Sequence, residues 1–532
     1  MNPRLSSLTG IPAESLQGGK LGLEKEGLRV TRDGRISQHR HPLALGSALT
    51  HPSITTDFSE AQLELITPPG DSAREALANL ADTESFVHRN LGDELVWPAS
   101  MPCRLDDDSE IPIACYGRSN DGLTKHVYRR GLAHRYGRMM QTIAGVHFNF
   151  SFSEALWPLL QEQRGADAAM IDFSSERYMA TLRNLQRYDW LLLYLFGASP
   201  AVHNGFPGAD DKLQKLDRET AYAPFATSLR MSNMGYTNRL PTGHGVFIDH
   251  SSLEAYTASL GHVMETPHPP YEMIDVRVGE QRRQLNSHLL QIENEYYTDV
   301  RPKQILHPGE TPLSALRHRG VRYLELRVLD INPFSPSGVT LEQLHFLELF
   351  LHFCLFTDSP AQDRRQTERN CANLNRTAYQ GRHPHLKLER DSERVYLRSW
   401  ALELFDAMLP MAELMDASDS DDRYVQSLEQ QRACLERPEL TPSARLLSTL
   451  SEQQTSFVDF SLRQASDHHR YFLDRELLDV RQDYLEALSR QSLRQQQQRE
   501  CEELELCDTD SQTQAFRLCN RSGPKRCASC CG

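Results

Sequence analysis

Four short stretches of this 532-residue sequence carry polar side chains where a core strand would carry apolar ones. Side chains alternate across a strand, so in VHFNFSF His147, Asn149 and Ser151 share one face and Val146, Phe148, Phe150 and Phe152 the other. In YLELRV, Tyr323, Glu325 and Arg327 lie opposite Leu324, Leu326 and Val328. FSEAQLELI sets Glu60, Gln62 and Glu64 opposite Leu63 and Leu65, and GLEKEGLRV puts Glu24 and Glu26 on one side. One such stripe reads as the wet face of an antiparallel sheet. Four of them side by side would crowd like charges, which is unfavourable unless cations bind there. Carboxylates with one imidazole suit magnesium or manganese, and magnesium commonly bridges carboxylates to phosphates. Arg327, beside Glu325, is the residue type that stabilises a phosphoryl group in transfer.

Further residues are the types a substrate pocket needs. Arg230 in TSLRMSNMGYTN could pair with a carboxylate through two parallel hydrogen bonds. Tyr128, Tyr236 and Tyr297 could form aromatic walls with a polar handle. Taken alone, these residues read as a surface arginine and half-buried core tyrosines.

The elements that must position them follow from periodicity. Segments 21–30, 57–67 and 143–152 read as strands, and 71–95 as an amphipathic helix with apolar Ala76, Leu77, Leu80, Ala81 and Phe86. Residues 170–200 read as a helix stopped by LFGASPA. Residues 225–330 return to strand-like pieces, and 340–500 is nearly all helical. The Gln/Arg run at 491–499 reads as solvated, and the tail at 501–532 as disordered. The tail holds six of the eleven cysteines, and its CASCC lacks a well-spaced second pair for a zinc site. Residues after Glu500 are therefore expected to be dispensable.

Composition narrows the class. A net charge of −14 argues against binding nucleic acid through phosphate neutralisation. The start of the sequence lacks the apolar stretch of a signal peptide, and the apolar runs at 191–196 and 346–356 are too short to span a bilayer. These features predict a cytoplasmic protein with no membrane association and reduced thiols. No Walker-type glycine loop is present, so any use of ATP proceeds without a P-loop.

The segments GLEKEGLRV, LGSALTHPSITTDFSEAQLELITP, WPASMPC, YRRGLAHRYG, MQTIAGVHFNFS, LFGASPA, ATSLRMSNMGYTN, QIENEYY, RPK and LELRVLDINPFSP, in this order, closely resemble the bacterial class of glutamate–cysteine ligases. They cover roughly residues 20 to 340. The match is weaker at 207–222 and 365–395, and the tail does not resemble the family.

The resemblance implies an α+β fold of the glutamine-synthetase-like type. A curved, mainly antiparallel sheet would form a funnel with helices packed outside. Residues 1–500 would be a single catalytic domain, sheet-rich over 20–340 and helical over 340–500. The implied activity is ATP-dependent joining of the γ-carboxylate of glutamate to the amine of cysteine through a γ-glutamyl phosphate, the first step of glutathione synthesis. Residue by residue, the resemblance implies Glu24, Glu26, Asp57, Glu64, His147 and Glu325 as magnesium ligands, with manganese an alternative. It implies Arg327 at the transferring phosphoryl group and Arg230 as a substrate-carboxylate anchor. Phe58, Tyr128, Tyr236 and Tyr297 would form the cysteine side, with Arg129 beside it. A monomer is expected, with glutathione as feedback inhibitor. Rivals are a ligase with another amine acceptor, a non-catalytic relative that kept the fold, and a two-metal phosphohydrolase. A bifunctional enzyme making complete glutathione is not expected from a chain of this length.

Overall fold

The computed structural model describes residues 8–236, 247–279, 281–417 and 421–509. CASCC and the rest of the tail beyond Thr509 lie outside the described residues. Among the described residues, no helix is long and apolar enough to cross a membrane.

The central element is a seven-stranded sheet in which every pairing is antiparallel. Its strands are β1 (Lys20–Val30), β2 (Ile54–Thr56), β3 (Gln62–Ile66), β4 (Leu95–Val96), β5 (Val146–Ser151), β6 (Val300–Lys303) and β7 (Tyr323–Leu329). The order is β6-β7-β5-β1-β3-β2, with β4 paired to the end of β1. The strands bearing the four polar stripes are thus consecutive neighbours. Glu60 is the exception, because β3 begins at Gln62 and Glu60 lies in the preceding turn.

Helices cover the apolar face. The helix α1 (Ala73–Arg89) starts where Ser72 accepts a hydrogen bond from the Glu75 amide and stops at Asn90, short of the expected residue 95. The long α3 (Met170–Phe196) is buried along almost its whole second half and packs on β7 and on α4 (Leu341–Phe356). Leu324, Leu326, Val146, Phe148 and Phe150 face this layer and are buried. Lys25, on the same side of β1, is buried in an ion pair with Glu84 of α1.

Two expectations are corrected. Among the described residues, 225–330 hold three helices, Leu253–Glu265, the short Pro269–Glu272 and Pro312–Arg319, and QIENEYY forms a short 3-10 turn, Glu293–Glu295, rather than a strand. Tyr256, Leu260 and Val263 in that first helix are buried at i, i+4, i+7 spacing, the signal of one packed helix face. Within the helical part, Lys387–Arg390 and Glu393–Tyr396 form a small hairpin. The final helices are α5 (Phe457–Asp474) and α6 (Asp479–Thr509), the latter crossing residue 500 without interruption.

Candidate active site

Strand register brings the carboxylates together. Glu24 lies directly opposite His147 and Glu26 opposite Glu64, while Glu325 lies opposite Asn149. All share the face of the sheet opposite the helices. That face is not a wet surface: the side chains of Glu325 and His147 are 2% and 3% exposed. The solvated-stripe reading therefore fails here, and the charges must be balanced within the site.

His147 is the hub. Its Nδ1 lies 3.1 Å from Glu24 Oε2 and 3.6 Å from Glu325 Oε1, and its Nε2 lies 3.6 Å from Glu26 Oε1. Glu24, His147 and Glu325 each offer one ligand atom, all within 4.8 Å of one another. His147 Nε2 and Asn149 Oδ1 are buried without a hydrogen-bond partner. Buried orphan donors and acceptors of this kind indicate a group that a bound ion or substrate completes. The donor set of carboxylate oxygen and imidazole nitrogen fits magnesium or manganese.

The charges are unevenly compensated. Burial pushes the Glu325 carboxyl upward, but Lys303, Arg327, Arg301 and His147 outweigh it and hold the group well below the usual carboxylate range. Lys303 Nζ lies 3.3 Å and Arg327 Nη1 2.9 Å from this carboxylate. Burial also raises Glu24, and the hydrogen bond from His147 with nearby cations brings it below its ordinary value. Across the sheet the balance reverses. Burial, then Asp57, Glu24 and Glu26, drive Glu64 well above the usual range. Glu26 is raised by burial and Asp57 against the opposing His147. Among the described residues, neither Glu64 nor Asp57 has an ion pair with lysine or arginine within 4.0 Å. A bound cation is the charge this end of the face lacks.

Arg327 is held in place by its neighbours. Its backbone amide donates to Asp299 O at 2.7 Å and its carbonyl accepts from Arg230 Nη2 at 2.7 Å. Burial lowers Arg327, yet Glu325, Tyr236, Glu26 and Glu24 raise it above its ordinary value, so it stays charged. Arg230 is buried with Asp330 3.8 Å away, and its guanidinium packs against Gly145. A Cβ at residue 145 would meet Arg230 Nη2 at 2.2 Å, so the close approach requires glycine.

The aromatic residues gather beside this arginine. Tyr236 and Tyr297 have ring centroids 4.3 Å apart, and Tyr297 also contacts Tyr136 at 5.7 Å. Tyr128, Tyr236 and Tyr297 pack on the apolar cluster that contains Phe58, itself fully buried. Tyr128 and Arg129 sit on α2 (Asn120–Tyr136), and Arg129 Nε donates to the backbone carbonyl of Asp57.

Next to Glu325, on the β6 side, a cavity of about 300 Å³ is lined by Tyr256, Leu260, Arg301, Lys303, Ile305 and Tyr323, among others. Lys303, Arg301 and Gly145 join the site although none lies on the four polar stripes. RPK carries a usable signal, since Arg301 pairs with Glu325 and Lys303 with Tyr323 across the β6–β7 ladder. Asn149, on the polar stripe of β5, donates from Nδ2 to Glu24 Oε1 at 2.7 Å.

A buried face of carboxylates, one imidazole and arginines beside an open cavity is the arrangement of an enzyme that handles phosphates with divalent cations. Comparison with known proteins gives the family. The glutamate–cysteine ligase profile matches residues 7–377. A glutamate–cysteine ligase of Pseudomonas putida (strain W619) is 46% identical over 505 residues, covering 95% of this chain and 96% of the relative. One from Alcanivorax borkumensis is 43% identical, with 92% and 94% covered. The crystal structure of a glutamate–cysteine ligase from Francisella tularensis in complex with AMP superposes with a TM-score of 0.85 at 36% identity, covering 94% of this chain and 96% of that one. A bifunctional glutathione synthetase from Pasteurella multocida gives 0.69 at 27% identity, and this chain covers 54% of it. The chain belongs to the glutamate–cysteine ligase family.

Proposed function

We infer that the protein is an ATP-dependent ligase that joins the γ-carboxylate of L-glutamate to the amine of L-cysteine, giving γ-glutamylcysteine, ADP and phosphate, the first step of glutathione synthesis. The observation that carries the reading is the close trio of half-buried Glu24 with buried His147 and Glu325, with Arg327 bonded to Glu325, in a chain of this family.

A carboxylate is a poor acylating agent because its leaving group is oxide. In the first step a γ-carboxylate oxygen of glutamate attacks the γ-phosphorus of ATP and ADP departs. In the second the cysteine nitrogen attacks the γ-carbonyl carbon, phosphate leaves, and the amine gives up a proton. Both electrophiles carry negative charge that must be neutralised. Arg327 would stabilise the phosphoryl oxygens, and its hydrogen bond to Glu325 supports this reading. Arg230, buried beside the tyrosines, would anchor a substrate carboxylate. Glu24, Glu26, Asp57, Glu64, His147 and Glu325 would hold magnesium, which when bound neutralises phosphate charge.

The cavity beside Lys303 and Tyr323 is read as the seat of the nucleotide, because it opens next to Glu325 and offers two cations and apolar walls. The tyrosine cluster on the opposite side of Arg327 is read as the acceptor pocket, with Phe58 as its apolar backing. The sheet then forms the curved wall of a funnel, nucleotide at one side and amino acids at the other. Residues 1–500 act as one monomeric catalytic unit, supported by a hydrophobic cluster running from Ile11 to Leu485. Glutathione, itself a γ-glutamyl peptide, would compete at the glutamate position.

The test is ADP release from ATP and magnesium, with glutamate alone and with glutamate plus each of several amines, products identified by mass. Rapid cysteine-dependent turnover yielding γ-glutamylcysteine is expected. Preference for another amine would overturn the acceptor, and no turnover from folded protein would overturn the enzyme reading.

A further inference from the structure

The C-terminal helix α6 reaches back across the molecule to the acceptor side of the site. Its first turns touch α1 through Arg481 and Asp82, 3.2 Å apart. Beyond that, Leu485, Ser489, Ser492, Gln496, Glu500 and Glu503 recur at helical spacing and form its inward face. These residues clamp two loops. Ser492 Oγ accepts from the Ser47 amide at 2.9 Å, its carbonyl accepts from Thr50 Oγ1 at 2.6 Å, and Gln496 Oε1 accepts from Ser47 Oγ at 2.5 Å. Glu500 Oε1 accepts from the Arg118 amide at 2.8 Å and Glu503 Oε2 from the Asn120 amide at 2.6 Å.

Both loops are shaped for this contact. Gly46 and Gly117 have φ of +84° and +80°, and a Cβ at either would collide with α6, at 2.5 Å from Ser492 Oγ and 2.1 Å from Glu500 Oε1. Both loops also lead to one point. The loop at 46–51 runs into β2 and then Asp57 and Phe58. The loop at 117–119 opens α2, which carries Tyr128 and Arg129. The Asp57 carbonyl accepts from Tyr116 Oη at 2.9 Å and from Arg129 Nε, so the two clamped segments meet there.

The Asn120 amide is one of the first-turn donors of α2 with no partner inside the helix, and the Arg118 amide lies just before the Ser119 cap. Carboxylates at this end also favour the helix dipole. We propose that Glu500 and Glu503 are positioning residues for the acceptor amino acid, holding the start of α2, and through it Tyr128 and Arg129, against Asp57 and Phe58. The expectation that everything after Glu500 is dispensable is thereby revised, since Glu503 lies beyond it.

The proposal rests on the ligase reading above. Its test compares the full-length wild type with Glu500→Ala/Glu503→Ala and Glu500→Gln/Glu503→Gln. Loss of two caps should raise the KM for cysteine about five- to thirtyfold. The kcat and the KM values for ATP and glutamate should stay within about twofold. The glutamine pair, which keeps an acceptor oxygen, should restore most of the loss, and exposed Gln497→Ala should change nothing. Amide exchange at residues 118 and 120 should quicken in the alanine pair. Faster exchange with an unchanged KM for cysteine would overturn the proposal, as would an equal loss in every kinetic constant. Failure of the ligase reading is distinguishable, because the wild type itself would then show no cysteine-dependent turnover.

Discussion

Arg135 Nη1 and Glu295 Oε1 lie 2.8 Å apart, and neither side chain has any exposed surface. The pair joins α2 to the segment carrying Tyr297. Tyr136 Oη donates to the same carboxylate at 2.9 Å, and the Gln291 amide donates to its second oxygen at 2.6 Å. A buried pair gains little over a well-packed apolar substitute, but breaking one half strands a charge. Glu295→Gln keeps the volume and leaves the Arg135 guanidinium without its counter-charge. The expected cost is about 3–5 kcal/mol of stability, read as a lower urea midpoint. A midpoint equal to wild type would mean that Gln284 and Asn286, which also accept from Arg135, carry the guanidinium unaided.

Glu325→Gln removes one charge at nearly constant volume from the centre of the cation face. Ligation should fall at least 10²–10³-fold, of order the loss when a single transition-state donor is removed, while circular dichroism stays that of the wild type. Arg327→Lys should fail similarly, because an ammonium cannot reproduce the fixed fork now bonded to Glu325. Near-normal turnover in the glutamine variant would remove Glu325 from the metal set.

The four polar stripes were legible in the residues, and so was their chemistry, because alternation exposes a face that an apolar core would not carry. What alternation does not contain is adjacency. Glu24 meets His147, and Glu26 meets Glu64, only because the β5-β1-β3 order is set by long connections elsewhere in the chain. Lys25 and Arg29 carry no signal in the sequence for the same reason: their buried partners, Glu84 and Glu94, arrive from α1 and from the turn before β4. The Gln/Arg run is exposed at most of its positions, as its composition suggests, with Ser492 and Gln496 turned inward. Gln496 accepts a hydrogen bond from Ser47. A polar side chain can be spent on docking a loop, and composition does not distinguish that use from hydration.

Gly145→Ala tests the arginine anchor without touching an ionisable group. The new methyl would overlap the Arg230 guanidinium and force it away from its place 3.8 Å from the buried Asp330. The expected result is a loss of glutamate-dependent kcat/KM on the order of 10²-fold, the scale of a misplaced positioning group. Steady-state rates at varied glutamate check it. An unchanged kcat/KM would show that Arg230 does not bind substrate in the position seen.

Glu348, on α4, gives a pH prediction away from the site. Burial pushes its carboxyl up to about 7, against the opposing Arg423 and Tyr424. Its folded value exceeds the unfolded one, so the folded state holds the proton more tightly. The associated stability is fully present below about pH 4.5 and is lost as pH rises through about 7. The loss amounts to at most about 3 kcal/mol. Glu348→Gln should therefore match the wild type near pH 5 and exceed its urea midpoint at pH 8. Equal midpoints at both values would mean the carboxylate is solvated in the folded protein.

Magnesium should stabilise the fold as well as support turnover. Glu26 and Glu64 lie directly opposite each other on adjacent strands, and burial with neighbouring carboxylates raises both. Like charges so placed oppose folding unless a cation binds there. An ion that binds only the folded state adds about 2.7 kcal/mol at a hundredfold excess over its Kd. The melting temperature should accordingly rise with magnesium and return to baseline with a chelator, without ATP or glutamate present. Glu64→Gln should raise the metal-free melting temperature by removing the crowded charge and shrink the magnesium-dependent rise. A variant that keeps the full rise would take Glu64 out of the metal set and leave the trio of Glu24, His147 and Glu325 to hold the ion alone.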